Sequence, residues 1–500
     1  MNVSVRQLME TSGVKFGTSG ARGLATDMTD LVCHVYTQGF LQYLRDLGVL
    51  SPGSAVAIAG DLRPSTDRIM EAVAMAATEA GYTPIRCGKI PSPAVALYGL
   101  QHRIPAIMVT GSHIPDDRNG IKFNKIEGEI LKSDEPGIMA QVVSVSEGSF
   151  HADGSRARSA ATSETAAVDP TAGLEYVARY RQAFPGQPLR GWTIGVYQHS
   201  AVGRDMLGQV LADLGAETIP LGWSATFLPV DTEAIRPEDV ALASEWAKAR
   251  ALNAIVSTDG DSDRPLISDE QGRWLRGDVA GILCARFLEA DSVSTPVSSN
   301  SAVDRCQWFA EVRRTRIGSP YVIESLQAAA TAGRRRVVGY EANGGFMLQS
   351  DLALNGPTIR ALPTRDAVLP IIGVLLLAKR QGSKVSELVR GLPSRFTASD
   401  RVKNFPVEKG REILTLLGGG DPSSNRAAVQ RTVADLVGSQ VEGVDLTDGV
   451  RATFANQEIV HLRPSGNAPE FRCYTEATTI ERAEDLCRAV LERVARGGIR

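Results

Sequence analysis

Apolar and polar positions along the 500-residue chain alternate between two patterns. Short runs of small and branched apolar residues, bounded by glycine, proline or polar residues, predict strands at 55–60, 106–109, 191–197, 254–257 and 335–339. Longer stretches with apolar residues at helical spacing predict helices at 65–80, 203–214 and 366–379. Strands that alternate with helices are typical of α/β folds.

The strand and helix pattern restarts twice, which predicts three similar α/β units with mixed sheets. A stretch at 151–169 is rich in Ser, Ala and Thr and predicts a surface loop or linker. Beyond residue 381, glycine-rich and charged segments lead to a strand at 458–463 and a helix at 481–496, which predicts a smaller α+β C-terminal domain. We therefore expect four domains, with bounds at 1–165, 166–275, 276–385 and 386–500.

Composition indicates a soluble protein that acts on small molecules. A formal net charge of −3 gives no electrostatic reason to expect nucleic acid or an anionic membrane as a partner. The six cysteines are scattered, which favours reduced thiols. The N-terminus lacks the apolar core of a signal peptide, and no apolar run approaches the length of a membrane span. We expect a cytoplasmic protein without a membrane or nucleic-acid partner.

Three aspartates occupy alternate positions in one loop, directly after the predicted strand at 254–257. They are Asp259, Asp261 and Asp263. Open α/β sheets place their chemistry just beyond the ends of strands. Oxygen ligands at close quarters suit Mg²⁺, which takes few protein ligands and leaves positions open for phosphate oxygens. The loop therefore predicts a magnesium site and phosphate chemistry.

The loop has two other interpretations, a calcium-binding loop and a solvated acidic turn. With Glu270 at the twelfth position, the aspartates match the spacing of a calcium-binding EF-hand. The sixth and seventh positions are Arg264 and Pro265, where a sharp turn needs glycine, and a strand precedes the loop. These features exclude the calcium loop. A solvated acidic turn remains the alternative.

A second loop follows the predicted strand at 106–109 and carries Ser112. An exposed serine at this place is a candidate nucleophile or phosphoryl carrier, although its hydroxyl is weak unless a neighbour activates it. Lys122, ten residues later, would act as an acid or base if burial or nearby cations lower its pKa. The alternative is a plain turn.

Two further loops carry groups that recognise ligands. Arg463 and Ser465, followed by Gly466, offer an arginine fork, a hydroxyl and backbone N–H groups, a set that binds phosphate. A surface turn is the alternative there. Glu341 and Asn343 follow the predicted strand at 335–339 and are suited to vicinal sugar hydroxyls, with a helix cap as the equal alternative.

The order and spacing of these loops, together with FGTSGARG at residues 16–23, resemble the α-D-phosphohexomutase family across nearly the whole chain. The resemblance implies catalytic roles for Arg22, Ser112, His113 and Lys122. It implies Mg²⁺ ligands at Ser112, Asp259, Asp261 and Asp263. It implies substrate contacts from Arg264, from the turn at Thr315 and Gly318, and from Glu341, Asn343, Arg463, Ser465, Gly466 and Asn467.

The resemblance also implies an activity. We expect interconversion of hexose 6-phosphate and hexose 1-phosphate, with mannose as the hexose, through a phosphoserine and a hexose 1,6-bisphosphate, by a monomer or homodimer. Three positions depart from the family pattern: Ile114 replaces an asparagine, Asn343 a serine, and Ser319 a histidine found in some members. These departures leave glucose or glucosamine phosphates as alternative substrates, and a non-catalytic sugar-phosphate sensor as the alternative class.

Overall fold

The structure, a computed structural model, describes residues 1–157, 167–354, 356–465 and 469–499. The chain forms two compact units. The first contains Met1–Val293 and Ser319–Glu387, and the second contains Ser294–Gly318 and Leu388–Arg500. The segment before residue 319 is therefore grouped with the C-terminal part of the chain, and the four predicted domain bounds stay a prediction.

The strands, in chain order, are β1 Asn2–Ser4, β2 Lys15–Phe16, β3 Gly20–Leu24, β4 Ala55–Gly60, β5 Thr83–Lys89, β6 Ala106–Val109, β7 Arg118–Lys125, β8 Gly128–Glu129, β9 Val142–Ser144, β10 Thr193–His199, β11 Glu217–Trp223, β12 Ala254–Thr258, β13 Pro265–Ile267, β14 Ser292–Pro296, β15 Glu311–Thr315, β16 Val337–Tyr340, β17 Phe346–Leu348, β18 Leu352–Ala353, β19 Thr358–Ile359, β20 Leu362–Asp366, β21 Phe396–Lys403, β22 Val441–Asp445, β23 Val450–Phe454, β24 Ile459–Pro464 and β25 Glu470–Ala477.

The helices are α1 Val5–Thr11, α2 Asp30–Asp46, α3 Thr66–Glu79, α4 Ser92–His102, α5 Glu135–Met139, α6 Thr171–Ala183, α7 Arg204–Asp213, α8 Pro237–Ala249, α9 Gly277–Phe287, α10 Ala302–Arg305, α11 Ser319–Thr331, α12 Val368–Arg380, α13 Val385–Arg390, α14 Val407–Gly418, α15 Pro422–Val437 and α16 Ile480–Ala495.

The first sheet has the order β2-β3-β7-β6-β4-β5, with β8 paired to β7. Strands β4, β5 and β6 are parallel, while β7 returns antiparallel to β6, so the sheet is mixed as predicted. Strand β6 is apolar and fully buried, which is typical of a central strand covered on both faces. The antiparallel return of β7 places Lys122 opposite Met108 of β6 and Gly20 of β3.

The second sheet has the order β11-β10-β12-β13. Strands β10, β11 and β12 are parallel, and β13 is antiparallel to β12. The aspartate loop is therefore the short connection between β12 and β13. Its ends are joined by a hydrogen bond from the N–H of Asp259 to the carbonyl of Arg264, at 3.1 Å.

Strands β16, β17 and β20 pair antiparallel in the first unit. The Glu341 loop is the turn of the hairpin formed by β16 and β17, and Gly344 takes a positive φ of 89° there. A strand follows the turn, so the helix-cap alternative for Glu341 and Asn343 is wrong. The helix predicted at 366–379 is α12, whose apolar residues are buried.

The second unit contains a five-stranded antiparallel sheet, in the order β21-β25-β24-β23-β22. Alternate residues of β23 are buried, as a sheet with one covered face requires. The covered face packs against α14, α15 and α16 through a core that includes Leu417, Val433, Phe454, Phe471 and Val490. This part matches the predicted α+β C-terminal domain.

Other predicted elements are found with small shifts. The strand predicted at 191–197 is Thr193–His199, and the one at 335–339 is Val337–Tyr340. Of the predicted linker at 151–169, residues 158–166 lie outside the described part of the chain, and the rest contains no helix or strand. Each of the six cysteines lies in the described part of the chain, and none forms a disulfide there. Within the described ranges, no helix has the length and apolar character needed to cross a membrane.

Two buried tyrosines connect α6 to the beginning of α12. The hydroxyl of Tyr176 donates to Oδ1 of Asp366 at 2.7 Å, and the hydroxyl of Tyr180 donates to Oδ2. Asp366 also accepts the N–H of Val368 at 3.0 Å. Burial, reinforced by the Asp366 carboxylate, raises the pKa of both tyrosines well above the usual value. The carboxylate is 1% exposed and depends on these donors.

Tyr176→Phe should therefore lower the free energy of unfolding by about 1–3 kcal/mol, because a buried carboxylate oxygen loses a donor. Tyr43→Phe is the matched control, since its hydroxyl donates to Asp134 at a half-buried site where Lys125 also binds. Tyr43→Phe should lower the free energy of unfolding by less than Tyr176→Phe does. Equal small losses in denaturant unfolding of both variants would contradict a special role for the Asp366 contact.

Candidate active site

Ser112 lies in the loop after β6, and its backbone takes the left-handed conformation with φ of 57°. This conformation costs a non-glycine residue about 1–2 kcal/mol. The hydroxyl donates to Oδ2 of Asp259 at 2.8 Å, and the backbone N–H donates to Oγ1 of Thr110 at 2.7 Å. The loop is thus held in one conformation that directs the hydroxyl at the aspartate loop.

The serine is buried, whereas an exposed position was expected. Ser112 is 1% exposed because the aspartate loop packs against it. A Cβ added to Gly260 would lie only 2.8 Å from the carbonyl oxygen of Ser112. Glycine therefore allows the two loops to approach this closely.

The three aspartates converge as predicted. Each of Asp259, Asp261 and Asp263 offers a carboxylate oxygen within 4.8 Å of the others. All three are at most 2% exposed, so the alternative of a solvated acidic turn is wrong. Oδ1 of Asp261 and Oδ1 of Asp263 are buried without a hydrogen-bond partner. Buried oxygens of this kind fit a cation, because carboxylates are seldom buried without compensation.

Lys122 lies between two of the carboxylates. Its Nζ is 2.5 Å from Oδ2 of Asp261 and 2.7 Å from Oδ2 of Asp263. Burial alone would lower the pKa of Lys122, but the two carboxylates outweigh burial and raise it. The lowered pKa that would let this lysine act as a base is therefore not found, and Lys122 is a largely buried cation.

The surroundings shift the pKa values of the three aspartates in different directions. Burial, together with the other two aspartates, raises the pKa of Asp259 well above the usual value. Burial acts the same way on Asp261, but Lys122 and the Ser92 hydroxyl, 2.6 Å away, hold its pKa below the usual range. Within the trio, the pKa of Asp259 is thus raised while that of Asp261 is lowered.

Arg264 contacts His113 and two of the aspartates, Asp259 and Asp263. Its NH1 is 2.6 Å from Nδ1 of His113, and its Nε is 3.6 Å from Oδ1 of Asp263. Because a guanidinium only donates, Nδ1 of His113 accepts this bond, and the imidazole proton lies on Nε2. Burial and Arg264 lower the pKa of His113 to about 3. Ser112 is 3.4 Å from Nδ1 of His113, farther than from Asp259.

Arg22 is on β3, and its guanidinium makes no hydrogen bond or ion pair with the residues that the structure describes. Burial and the neighbouring Arg264 lower the pKa of Arg22 to about 10, which leaves it charged at neutral pH. A half-buried cation without a bound carboxylate is suited to an anionic ligand.

Arg365, at the end of β20, connects the aspartate loop to the Glu341 turn. Its Nε is 3.1 Å from Oδ2 of Asp263, and its NH1 is 3.5 Å from Oε2 of Glu341. The side chain of Asn343 accepts the N–H of Gly345 at 3.0 Å and so holds the turn. The structure therefore brings Ser112, Lys122, Arg264, the aspartates and Glu341 into one network.

Sequence analysis did not find Arg365, Ser92, Asp61 or Arg63. Asp61 and Arg63 follow directly after the buried strand β4, and Arg365 is the penultimate residue of β20. The rule that pointed to Ser112 and the aspartates, polar residues at the end of a buried strand, applies equally to these positions.

In the second unit, the turn at Thr315–Gly318 and the end of β24 meet at Asp448. Oδ2 of Asp448 accepts the N–H of Ile317 at 2.9 Å, and Oδ1 is 3.5 Å from Nε of Arg463. Gly318 has φ of 130°. Ser465 donates its N–H to Glu470 at 2.8 Å, while the predicted contacts Gly466 and Asn467 lie outside the described residues.

Three arginines face one another across the sheet of the second unit. Arg401 is opposite Arg472 on the neighbouring strand, and Arg472 is opposite Arg463 on the next. Like charges directly opposite on neighbouring strands are destabilising. Glu470 contacts Arg401 at 3.3 Å and Arg472 at 3.1 Å and compensates part of the charge. This arginine row, formed by Arg401, Arg472 and Arg463, is suited to binding an anion.

Models of the phosphoglucomutase/phosphomannomutase family match the chain in four parts. The alpha/beta/alpha domains I, II and III match residues 13–148, 175–272 and 276–396, and the C-terminal domain matches residues 403–493. The chain therefore belongs to the phosphoglucomutase/phosphomannomutase family. The expected resemblance and the four-domain α/β class are confirmed.

Curated relatives match over nearly the full length. A phosphomannomutase of Sinorhizobium fredii is 43% identical over 476 residues, covering 95% of this chain and 97% of the relative. One of Salmonella muenchen is 42% identical over 490 residues, covering 97% of each. A crystal structure of a putative phosphomannomutase from Thermus thermophilus shares the fold, with a TM-score of 0.71 at 19% identity, over 97% of this chain and 99% of that one.

Asp261→Asn should weaken the binding of a divalent cation by about tenfold or more, because the site loses one of its carboxylates. Titration calorimetry with Mg²⁺ measures this loss. Asp269→Asn is the matched control, since Asp269 is 4% exposed, belongs to the same segment and binds Arg273 and turn amides instead. Equal affinities for the ion in both variants would exclude the aspartate trio as the site.

Proposed function

We propose that this protein interconverts mannose 6-phosphate and mannose 1-phosphate through a phosphoserine at Ser112 and a hexose 1,6-bisphosphate. The observation that carries the proposal is the buried Ser112 hydroxyl, bonded at 2.8 Å to an aspartate of a three-carboxylate cluster. Relatives that are 42–43% identical over almost the whole chain are named phosphomannomutases, which supports mannose as the hexose.

Mg²⁺ is the cation we propose for the aspartate cluster. The unpartnered oxygens of Asp261 and Asp263 and the oxygen-only donor set fit this ion. Asp259, Asp261 and Asp263, with Ser112, would hold it. When bound, Mg²⁺ neutralises charge on the phosphoryl group that is transferred.

Phosphoryl transfer breaks the bond between phosphorus and Oγ of Ser112 and forms one to a free hydroxyl of the sugar phosphate. The sugar hydroxyl loses its proton, and Oγ of Ser112 regains one. Lys122, held as a cation by two carboxylates, and Arg22, without an ion-pair partner among the described residues, stabilise the moving negative charge. Arg264 and His113 position this cluster through their 2.6 Å contact.

The second half of the reaction returns the other phosphate to Ser112. The bisphosphate has to present its opposite end, so the phosphate that is not reacting needs a site that accepts either orientation. Arg463 and Ser465, with Gly466 and Asn467, form this site in our proposal. The arginine row that includes Arg463 supports an anion there. Thr315 and Gly318 shape the neighbouring turn, which Asp448 joins to Arg463.

Glu341 and Asn343 recognise sugar hydroxyls in this proposal. The hairpin turn fixes both residues, and Arg365 holds Glu341 beside the aspartate loop. The replacement of serine by Asn343 in this turn keeps glucosamine or glucose phosphate as the alternative substrate. A coupled assay that compares the 1-phosphates of mannose, glucose and glucosamine distinguishes them.

We also propose the domain bounds 1–165, 166–275, 276–385 and 386–500. Three of the four family matches fall inside these bounds. The match to domain III extends to residue 396, eleven residues past the proposed bound.

Ser112→Ala should abolish covalent phosphorylation, because it removes the only atom that carries the phosphoryl group in this mechanism. Wild type should gain the mass of one phosphoryl group after incubation with mannose 1,6-bisphosphate, as intact mass spectrometry reports. Ser92→Ala is the control, since the Ser92 hydroxyl also bonds to the trio, at Asp261. Equal uptake by wild type and Ser112→Ala would identify another carrier.

Arg463→Ala should lower kcat/KM for the 1-phosphate and the 6-phosphate alike, by about 10–100-fold, the value of one charged hydrogen bond to phosphate. Release of bisphosphate into solution should rise. Arg488→Ala, which removes an exposed arginine that pairs with Asp485 on α16, should change neither kcat/KM nor the release of bisphosphate. A loss confined to one of the two substrates would contradict a shared phosphate site.

A further inference from the structure

Arg63 is only 2% exposed, and all its side-chain N–H groups donate to acceptors in the first unit. Its Nε is 3.1 Å from Oδ2 of Asp61. The other donors reach four carbonyl oxygens between the end of β6 and the beginning of β7. These are the carbonyls of Ser112 at 2.7 Å, Ile114 at 2.6 Å, Pro115 at 2.6 Å and Arg118 at 3.0 Å. Arg63 therefore binds the Ser112 loop along most of its length.

Asp61 joins Arg63 to the beginning of the same loop. Its Oδ2 also accepts the hydroxyl of Thr110 at 2.7 Å, and Oγ1 of Thr110 accepts the N–H of Ser112 at 2.7 Å. Its Oδ1 accepts the hydroxyl of Thr66 at 2.7 Å. The two side chains thus hold both the N–H and the carbonyl of Ser112.

The guanidinium has no room to move. The ring of Phe227 lies 4.2 Å from its Cζ. On another side, a Cβ added to Gly111 would lie 2.6 Å from the same atom. A buried arginine that only filled space would not need its donors directed at the carbonyls of one loop. These four carbonyls surround the guanidinium, and each accepts one of its N–H groups.

We infer that Arg63, with Asp61, is a positioning residue for the phosphoryl carrier: it holds Ser112 in its left-handed conformation, with Oγ directed at Asp259. The inference rests on the proposed mutase function. Arg63 touches no reacting atom, so its loss should act on the transfer step while the loops that bind sugar and distal phosphate stay intact. Misplacement of a reacting group by about 1 Å costs about 100-fold in rate.

Arg63→Lys is the informative variant. Lysine keeps the positive charge beside Asp61, but its ammonium has fewer donors and no planar fork. Because lysine has three N–H groups for five acceptors, the Asp61 carboxylate and four carbonyls, at least two of these acceptors lose their donor. We expect kcat to fall by about 100-fold while KM stays within about threefold. Amide hydrogen exchange at residues 112–118 should accelerate, whereas exchange in β4 and β6 should match wild type.

Arg336→Lys is the matched control. Arg336 also donates to backbone carbonyls, those of Leu288 at 2.6 Å and Glu289 at 2.8 Å, after the end of α9. This variant should lower the melting temperature and leave kcat and the exchange of residues 112–118 unchanged. Unaltered kcat in folded Arg63→Lys, or loss of activity only in proportion to unfolding, would overturn the inference.

If Arg63→Lys does not fold, Gly111→Ala disturbs the same contact from the opposite side without removing the charge, and the same split between kcat and KM is expected. Normal kcat in Gly111→Ala would then overturn the inference. A wild-type protein without mutase activity would refute the proposed function instead. The exchange of residues 112–118 would still decide whether Arg63 holds the loop.

Discussion

The structure of the first unit depends on the compensation of negative charge that is buried beside Ser112. Three aspartates lie within 4.8 Å of one another, almost without contact with water. Such a cluster is stable only if cations and donors surround it, because desolvation of an unpaired carboxylate costs several kcal/mol. Lys122, Arg264 and Arg365 supply that charge from three different sheets.

This requirement explains the arrangement of the surrounding elements. Strand β7 runs antiparallel to β6 so that Lys122 lies beside the loop of Ser112, and β20 ends at Arg365 next to the aspartates. Strand β7, strand β20 and the loop between β12 and β13 thus each bring a charged side chain to the same place. The charges are fixed before a ligand arrives, which is the form of electrostatic preorganisation that phosphoryl transfer relies on.

The strands and helices that the sequence pattern predicted are found to within about two residues, because buried strands and amphipathic helices have clear periodicities. The aspartate trio was predictable for the same reason: β12 is apolar, and the loop follows at once. Sequence did not show the contacts between distant residues. Arg365 and Glu341 meet only because β17 and β20 pair, and Lys122 gains its raised pKa only from aspartates 139 and 141 residues away. Nothing in the local sequence of Lys122 distinguishes a buried cation from a base.

The backbone at Ser112 also limits which hydroxyl amino acid can occupy the position. Threonine carries the same functional group and would seem interchangeable as a carrier. At φ of 57°, however, a β-branched side chain crowds its own backbone far more than serine does. The chain conformation therefore favours serine over threonine at this position. The same loop conformation that orients the Ser112 oxygen also limits which hydroxyl amino acid fits the site.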